Sequence, residues 1–323
     1  MLTEKKGDLP DEVAEFLGKS LPGAWSATAL RGDASVRGYF RVTTSDGSYM
    51  MAYYPESIRE GLRRFLDAYD AIRDHSRVPR VLQHSPFAIL QHDLGDETLF
   101  DVLQLDRRRA LPLYREAVDL LIDFQRSPAP AQGINPPFDE TKFSAELRMT
   151  LEFYVQHIAP EKDTCKLDGI FSQLAENLTR HPYVLCHRDY HGQNLHIYNG
   201  ILYMIDFQDL RMGPDTYDLA SLIRDRGVWK LLGRTAEEEL LAHYATATGS
   251  TGDIQERYYE ALLQRSIKAI GTFARQAVVR NRRNYLDFIP STLETVDECI
   301  SHLPDFEELR SLFPLSFDAA SFQ

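Results

Sequence analysis

A chain of 323 residues, 43% hydrophobic and 26% charged, can bury a full core, and its length fits roughly two domains. Thirty-six Lys and Arg against 48 Asp and Glu give a net charge of −12, which makes nucleic acid and anionic membrane surfaces poor partners. No apolar run approaches the about 18 residues of a membrane helix, residues 1–8 lack an apolar leader, and Cys165, Cys186 and Cys299 are scattered, so a cytoplasmic protein with reduced thiols is expected.

In chain order, the pattern predicts a helix over 11–19 and strands over 26–31, 38–44 and 48–54, the last two joined by a turn at Asp46-Gly47. Ile58, Leu62, Phe65, Leu66, Tyr69 and Ile72 repeat at helical spacing within 57–74. Short strands are expected at 81–82 and 87–91. Beyond Asp93-Leu94-Gly95 the pattern turns helical, over 107–125, 142–158 and 170–178, with 127–137 as a Pro-rich surface connection. The stretch 91–95 reads as a hinge. The expected fold class is therefore α+β and bilobal, with a small β-rich N-lobe over 1–92 and a larger, mostly helical C-lobe over 93–323.

A β island over 184–207 interrupts the helices. Asn199-Gly200 between apolar runs is a strong signal for a two-residue hairpin turn. That turn pairs Tyr198 with Ile201 and sets Asn194 opposite Ile205, one step before Asp206. An amide oxygen and a carboxylate then meet at the open end of the hairpin, a fit pair for a hard cation such as Mg²⁺. Asp189, on the loop entering the hairpin, can accept a proton from an attacking hydroxyl. One base and two oxygen ligands outline a phosphoryl-transfer site. His187 and His191 are four apart, but they sit in strand and loop and lack the glutamate of a zinc helix, so zinc is not expected. His187 reads as a core residue propping the loop, and Cys186 as a buried one. His191 either braces Asp189 or touches substrate.

His187-Arg188-Asp189 with Asn194, followed by Asp206-Phe207, resembles the protein-kinase-like superfamily. Asp189-x-His191-x-x-Asn194 resembles its aminoglycoside phosphotransferase and choline kinase branch. Several stretches are similar to bacterial anomeric kinases of N-acetylmuramate and N-acetylglucosamine: Gly32-Asp33-Ala34-Ser35, Tyr39-Phe40-Arg41-Val42, Ile205-Asp206-Phe207-Gln208-Asp209, Gly213-Pro214-Asp215-Thr216-Tyr217-Asp218-Leu219 and Gly271-Thr272-Phe273-Ala274-Arg275. The resemblance implies a bilobal protein-kinase-like fold, ATP and Mg²⁺ as cofactors, Asp189 as catalytic base, and Asn194 and Asp206 as metal ligands. It implies that Gln91, Asp93 and Leu94 belong to a hinge facing adenine, that Ser35 and Arg37 lie in the loop over the ATP phosphates, and that Asp218 braces the catalytic loop. The implied acceptor is a small amino sugar, phosphorylated at its anomeric hydroxyl for cell-wall recycling by an enzyme favoured to be monomeric. Kinases of aminoglycosides, choline or amino acids share the branch, and a nucleotide-binding pseudokinase is the other alternative.

The chain departs from the protein-kinase pattern in its phosphate loop and in having no lysine from Leu21 through Thr141. Arg37 and Arg41 are the local cations, and Arg37, in the loop itself, is the favoured replacement. Gln208 and Asp209 read either as solvated loop or as sugar-recognising groups. Arg275, clustered with Arg280, Arg282 and Arg283, reads as part of a solvated helix face or as a ligand for a sugar carboxylate or phosphate oxygen. Glu146, Glu152 and Tyr154 share one helix whose orientation spacing alone does not give.

Overall fold

The structure, a computed structural model, describes residues 9–30, 37–128, 134–160, 162–250 and 252–318. Helix α1 (Asp11–Ser20) leads into β1 (Trp25–Leu30), β2 (Gly38–Thr44) and β3 (Gly47–Tyr53). After α2 (Arg59–Ile72), β4 (Val81–His84) and β5 (Ala88–His92) complete an antiparallel sheet of order β1-β2-β3-β5-β4. Alternation sorts its side chains between two cores. Phe40, Val42, Met51 and Leu90 pack with Val13 and Leu17 of α1. Ala52, Tyr54 and Ile89 join Leu62, Phe65, Ala68 and Ile72 of α2 in the main core.

The β2–β3 turn falls one residue earlier than expected. Thr44 pairs with Gly47, so Ser45 and Asp46 form the loop. Thr44 Oγ1 accepts the Asp46 N–H at 3.1 Å, and Gly47 opens β3 at φ 140°, a conformation that suits glycine.

The helical part begins with α3 (Leu99–Leu105) and α4 (Arg107–Gln125). Thr98 and Asp101 form a reciprocal capping box at the start of α3. The helix expected over 142–158 is three pieces: α5 (Glu140–Thr150), a π-helical turn (Leu151–Val155) and α6 (Gln156–Ile158). Next come α7 (Thr164–Thr179), β6 (Tyr183–Cys186), β7 (Leu195–Tyr198), β8 (Ile201–Met204) and β9 (Arg211–Pro214). Helices α8 (Tyr217–Arg224), α9 (Val228–Leu232), α10 (Arg234–Thr248), α11 (Ile254–Arg280), α12 (Ile289–His302) and α13 (Leu309–Leu312) follow. Strand β9 pairs with β6 and had no sequence signal, because Gly213 and Pro214 argue against a strand.

Helix α11 is the spine of this lobe. Thr150 Oγ1 donates to the Ile267 carbonyl at 2.6 Å, and a Cβ on Gly271 would lie 2.8 Å from the Thr150 backbone. The glycine in the family-like run 271–275 is thus a close-packing residue, which lets α5 and α11 approach.

Candidate active site

The β7–β8 hairpin has the register expected of its Asn-Gly turn. Tyr198 faces Ile201 and Leu195 faces Met204. The Ile205 N–H donates to the Asn194 carbonyl at 3.0 Å, extending the ladder to the doorstep of Asp206. Asn194 and the residue before Asp206 are therefore hydrogen-bonded partners.

Asp189 is exposed, on the loop between β6 and β7. Three contacts hold this loop. The wholly buried Asp218 carboxylate accepts the His187 and Arg188 N–H groups, the latter at 2.8 Å. Burial pushes the Asp218 carboxyl above its ordinary range, against the pull of His187, Arg188 and Arg265. The buried His187 ring spans the site. Its Nε2 lies 2.9 Å from the Ile205 carbonyl, and its Nδ1 accepts the Asp189 N–H at 3.3 Å. A carbonyl can only accept and an amide N–H only donate, so the ring is held as its Nε2–H tautomer. Finally, the His191 N–H donates to the Asp189 carbonyl at 3.1 Å, and the His191 carbonyl accepts the Asn194 N–H at 2.8 Å. The His191 ring is buried and interacts with Asp225.

Asn194 Nδ2 donates to the Asp189 carbonyl at 2.8 Å, which turns Oδ1 away from that bond. Asp206, at φ 64°, accepts Gln208 Nε2 on Oδ1 at 3.0 Å and Arg37 Nη2 on the same oxygen at 3.3 Å. Among the described residues, Oδ2 takes no hydrogen bond. Two hard oxygens, Asn194 Oδ1 and Asp206 Oδ2, thus suit a cation of the Mg²⁺ type. No group of three or more His, Cys, Asp or Glu able to hold a metal occurs among the described residues. A cation here would draw its other ligands from phosphate and water.

Arg37 lies 5.6 Å from the Tyr39 ring and 5.9 Å from the Tyr54 ring. With Tyr54, Gln208 and Asp209 it lines a cleft of about 480 Å³ that runs along the start of α2. Ser35 lies outside the described residues. Arg41 is committed elsewhere. Its guanidinium grips Asp93 at 2.7 Å and Asp96 at 2.8 Å. Asp93 also accepts Ser48 Oγ at 2.8 Å and the Gly95 N–H at 3.0 Å. The carboxylate thus stiffens the segment after β5. Gln91 is half-buried at the end of β5, and Leu94 is buried. The hairpin leans on the same segment, through His196 Nδ1 to the Gly95 carbonyl at 3.0 Å and Ile197 N–H to the Glu97 carbonyl at 2.9 Å.

Arg275 is exposed on α11 with its guanidinium 6.0 Å from the Phe153 ring, two turns beyond Lys268. Among the described residues no hydrogen bond, ion pair or ring contact joins it to Asp189, Gln208 or Asp209. Among the three residues of the candidate helix, Glu146 reaches this region, as an ion-pair partner of Lys268 at 3.4 Å, while Tyr154 is buried in the core. Sequence reasoning missed the Arg41–Asp93 clamp, the Arg265–Asp225 ion pair and Arg211. Long-range ion pairing leaves no periodicity in a sequence, and the strand that carries Arg211 gave no signal either.

The sequence model of the phosphotransferase enzyme family (APH) matches residues 26–262. The N-acetylmuramate/N-acetylglucosamine kinase of Pseudomonas putida is 29% identical over 306 residues, covering 90% of this chain and 88% of that protein. Its namesake from Pseudomonas aeruginosa is 29% identical over 296 residues, covering 87% and 85%. Among solved structures, the ADP-bound aminoglycoside phosphotransferase APH(2'')-Ib aligns with TM-score 0.62 at 15% identity, covering 90% of this chain and 99% of that one. Choline kinase from Cryptosporidium parvum aligns with TM-score 0.58 at 12% identity, covering 94% and 98%. These likenesses carry the fold.

Proposed function

This chain belongs to the phosphotransferase enzyme family, and from that premise we propose that it uses ATP to phosphorylate the anomeric hydroxyl of an N-acetylated amino sugar of the N-acetylglucosamine or N-acetylmuramate type. The observation that carries the reading is that Asn194 holds the carbonyl of exposed Asp189 and pairs with Ile205, the residue before Asp206, at one end of the β7–β8 hairpin. The amino sugar named for the curated relatives supports the acceptor class.

In this reading residues 1–92 hold the nucleotide, and residues 93–323 supply the catalytic and sugar-binding groups. Asp189 takes the proton of the sugar C1 hydroxyl as its oxygen attacks the γ-phosphorus. The bond from that phosphorus to the bridging oxygen breaks, and ADP leaves with its electron pair. Asn194 and Asp206 would hold Mg²⁺, which neutralises charge on the phosphates. Arg37 stands in for the missing lysine, with its planar fork aimed at phosphate. The backbone of Gln91, Asp93 and Leu94 faces adenine, kept rigid by the Arg41 clamp. Gln208 and Asp209, on the cleft wall, bind hydroxyl and N-acetyl groups. His191 positions Asp189. Among the described residues no helix is long and apolar enough to cross a membrane, and the reaction is proposed for the cytoplasm, where ATP is made.

A panel of N-acetylhexosamines, aminoglycosides and choline, each assayed for ADP release, tests the acceptor class. Phosphorylation at C1 destroys the reducing end of the sugar. A product that still scores as a reducing sugar rules out the anomeric assignment, and release with aminoglycosides alone rules out the amino sugar.

A further inference from the structure

The buried side-chain atoms without a hydrogen-bond partner include Arg188 Nε, Gln208 Oε1, Arg211 Nε, Gln264 Oε1 and Arg265 Nε. Buried polar atoms in native proteins are nearly always paired, so a local group of orphans points to a missing partner. Arg188 interacts with both Arg211 and Arg265. Arg265 Nη1 donates to the Arg188 carbonyl at 3.1 Å, and Gln264 Nε2 donates to Glu146 at 3.0 Å.

Arg211 is the residue that stands out. Other buried arginines are neutralised, Arg224 by Glu237 and Glu298, Arg257 by Asp215, and Arg265 by Asp225. Arg211 is 8% exposed and, among the described residues, has no carboxylate within ion-pair distance. Its guanidinium lies 5.2 Å from the Phe138 ring. Burial and Arg188 both hold its pKa below the ordinary range, and Glu146, Asp209 and Tyr217 pull the other way. A buried, unpaired cation facing a second cation is costly unless an anion completes the site. The strand register sets Arg211 directly opposite Cys186, three residues before Asp189, and β9 begins two residues after Asp209. Arg211 thus sits on the strand paired with the one that leads into the Asp189 loop, in a chain whose overall charge is −12.

We infer that Arg211, with Arg188, forms a subsite for the carboxylate of an acidic acceptor sugar, and that Arg211 sets the preference for a carboxylate-bearing N-acetylhexosamine over a neutral one. The inference rests on the sugar-kinase reading and goes beyond it in naming the specificity residue. A guanidinium fork can take a carboxylate through two parallel N–H···O bonds. N-Acetylmuramate carries such a group on its lactyl ether; N-acetylglucosamine has a hydroxyl there.

The test compares the wild-type chain with Arg211→Met and Arg211→Lys, measuring kcat/KM for both sugars and the melting temperature. Arg211→Met is expected to lower the ratio of acidic to neutral kcat/KM by at least about tenfold, mainly through KM for the acidic sugar, and Arg211→Lys to recover part of it. Its melting temperature should equal or exceed that of wild type, because an unpaired buried charge is gone. A smaller change in the ratio, or a proportional fall on both sugars with a lowered melting temperature, overturns the inference. If Arg211→Met does not fold, Arg211→Lys decides, with a drop of at least about threefold expected and a smaller one overturning. If wild type phosphorylates neither sugar, the sugar-kinase reading fails, and melting with added D-lactate or inorganic phosphate decides the subsite. Stabilisation of wild type but not Arg211→Met by lactate supports a carboxylate site. Stabilisation by phosphate alone, or by neither ion, overturns it.

Discussion

Arg37 and Asp206, 169 positions apart in the chain, meet at 3.3 Å and so join the entry of β2 to the second residue beyond β8. Burial alone would lower the Arg37 pKa, but Tyr39, Tyr54 and Asp206 outweigh it and raise it, so the guanidinium stays charged. A permanent cation is therefore poised beside the proposed metal carboxylate. Arg37→Met should raise KM for ATP about tenfold, the value of one charge-assisted hydrogen bond, with a smaller rise for Arg37→Lys. Initial rates of ADP release at varied ATP check this; an unchanged KM and kcat would remove Arg37 from the phosphate site.

Asp189 carries the proposed proton transfer and is exposed, so its replacement should leave the fold intact. Asp189→Asn is expected to cut kcat by about 10²–10⁴-fold. A circular dichroism spectrum matching wild type, beside the ADP-release rate, separates lost chemistry from lost structure. Full activity in this variant would sink the assignment.

The clamp behind β5 makes a stability prediction. Arg41→Met strips the buried Asp93 of its cation and leaves it Ser48 and the Gly95 N–H. Urea unfolding should register a loss of about 1–3 kcal/mol. KM for ATP should rise as well, since the segment proposed to face adenine loses its brace. A variant as stable as wild type would mean that Ser48 and Gly95 suffice.

His196 gives the hinge a pH dependence. Burial lowers its pKa, and the Gly95 carbonyl with Asp96, Asp101 and Asp93 opposes the shift. The folded state thus holds its proton more weakly than the unfolded chain does. The sign follows: the His196 contribution is fully present above the unfolded value of about 6.5 and is lost as pH falls through the lower folded value. Unfolding free energy measured in urea from pH 8 to pH 4 should fall more steeply for wild type than for His196→Gln. Parallel curves would contradict the assignment.

The hairpin was legible because its signal is local. Asn199-Gly200 sets a turn, the turn sets a register, and the register carries Asn194 to Ile205. The second hairpin shows how narrow that legibility is: Asp46-Gly47 marked the right place, yet the glycine sits in the strand and Ser45 in the loop. The π-helical turn at Leu151–Val155 has the same apolar spacing as the helix around it, so periodicity ran straight through. The Arg41–Asp93 clamp was out of reach for a different reason. Arg41 was a candidate phosphate ligand, behind Arg37, because it is one of two cations near the phosphate loop, and only the fold reveals that Asp93, 52 positions on, already holds it.

The four-residue length of β8 has a consequence for how this chain tolerates change. Side chains alternate sides along a strand, so one extra residue between Ile201 and Met204 would swing Asp206 to the opposite face and part it from Asn194. An extra residue at the Asn199-Gly200 tip would only enlarge a bend at the far end. Insertions should therefore be survivable at the tip and ruinous two residues later, a contrast in indel tolerance within a span of five positions.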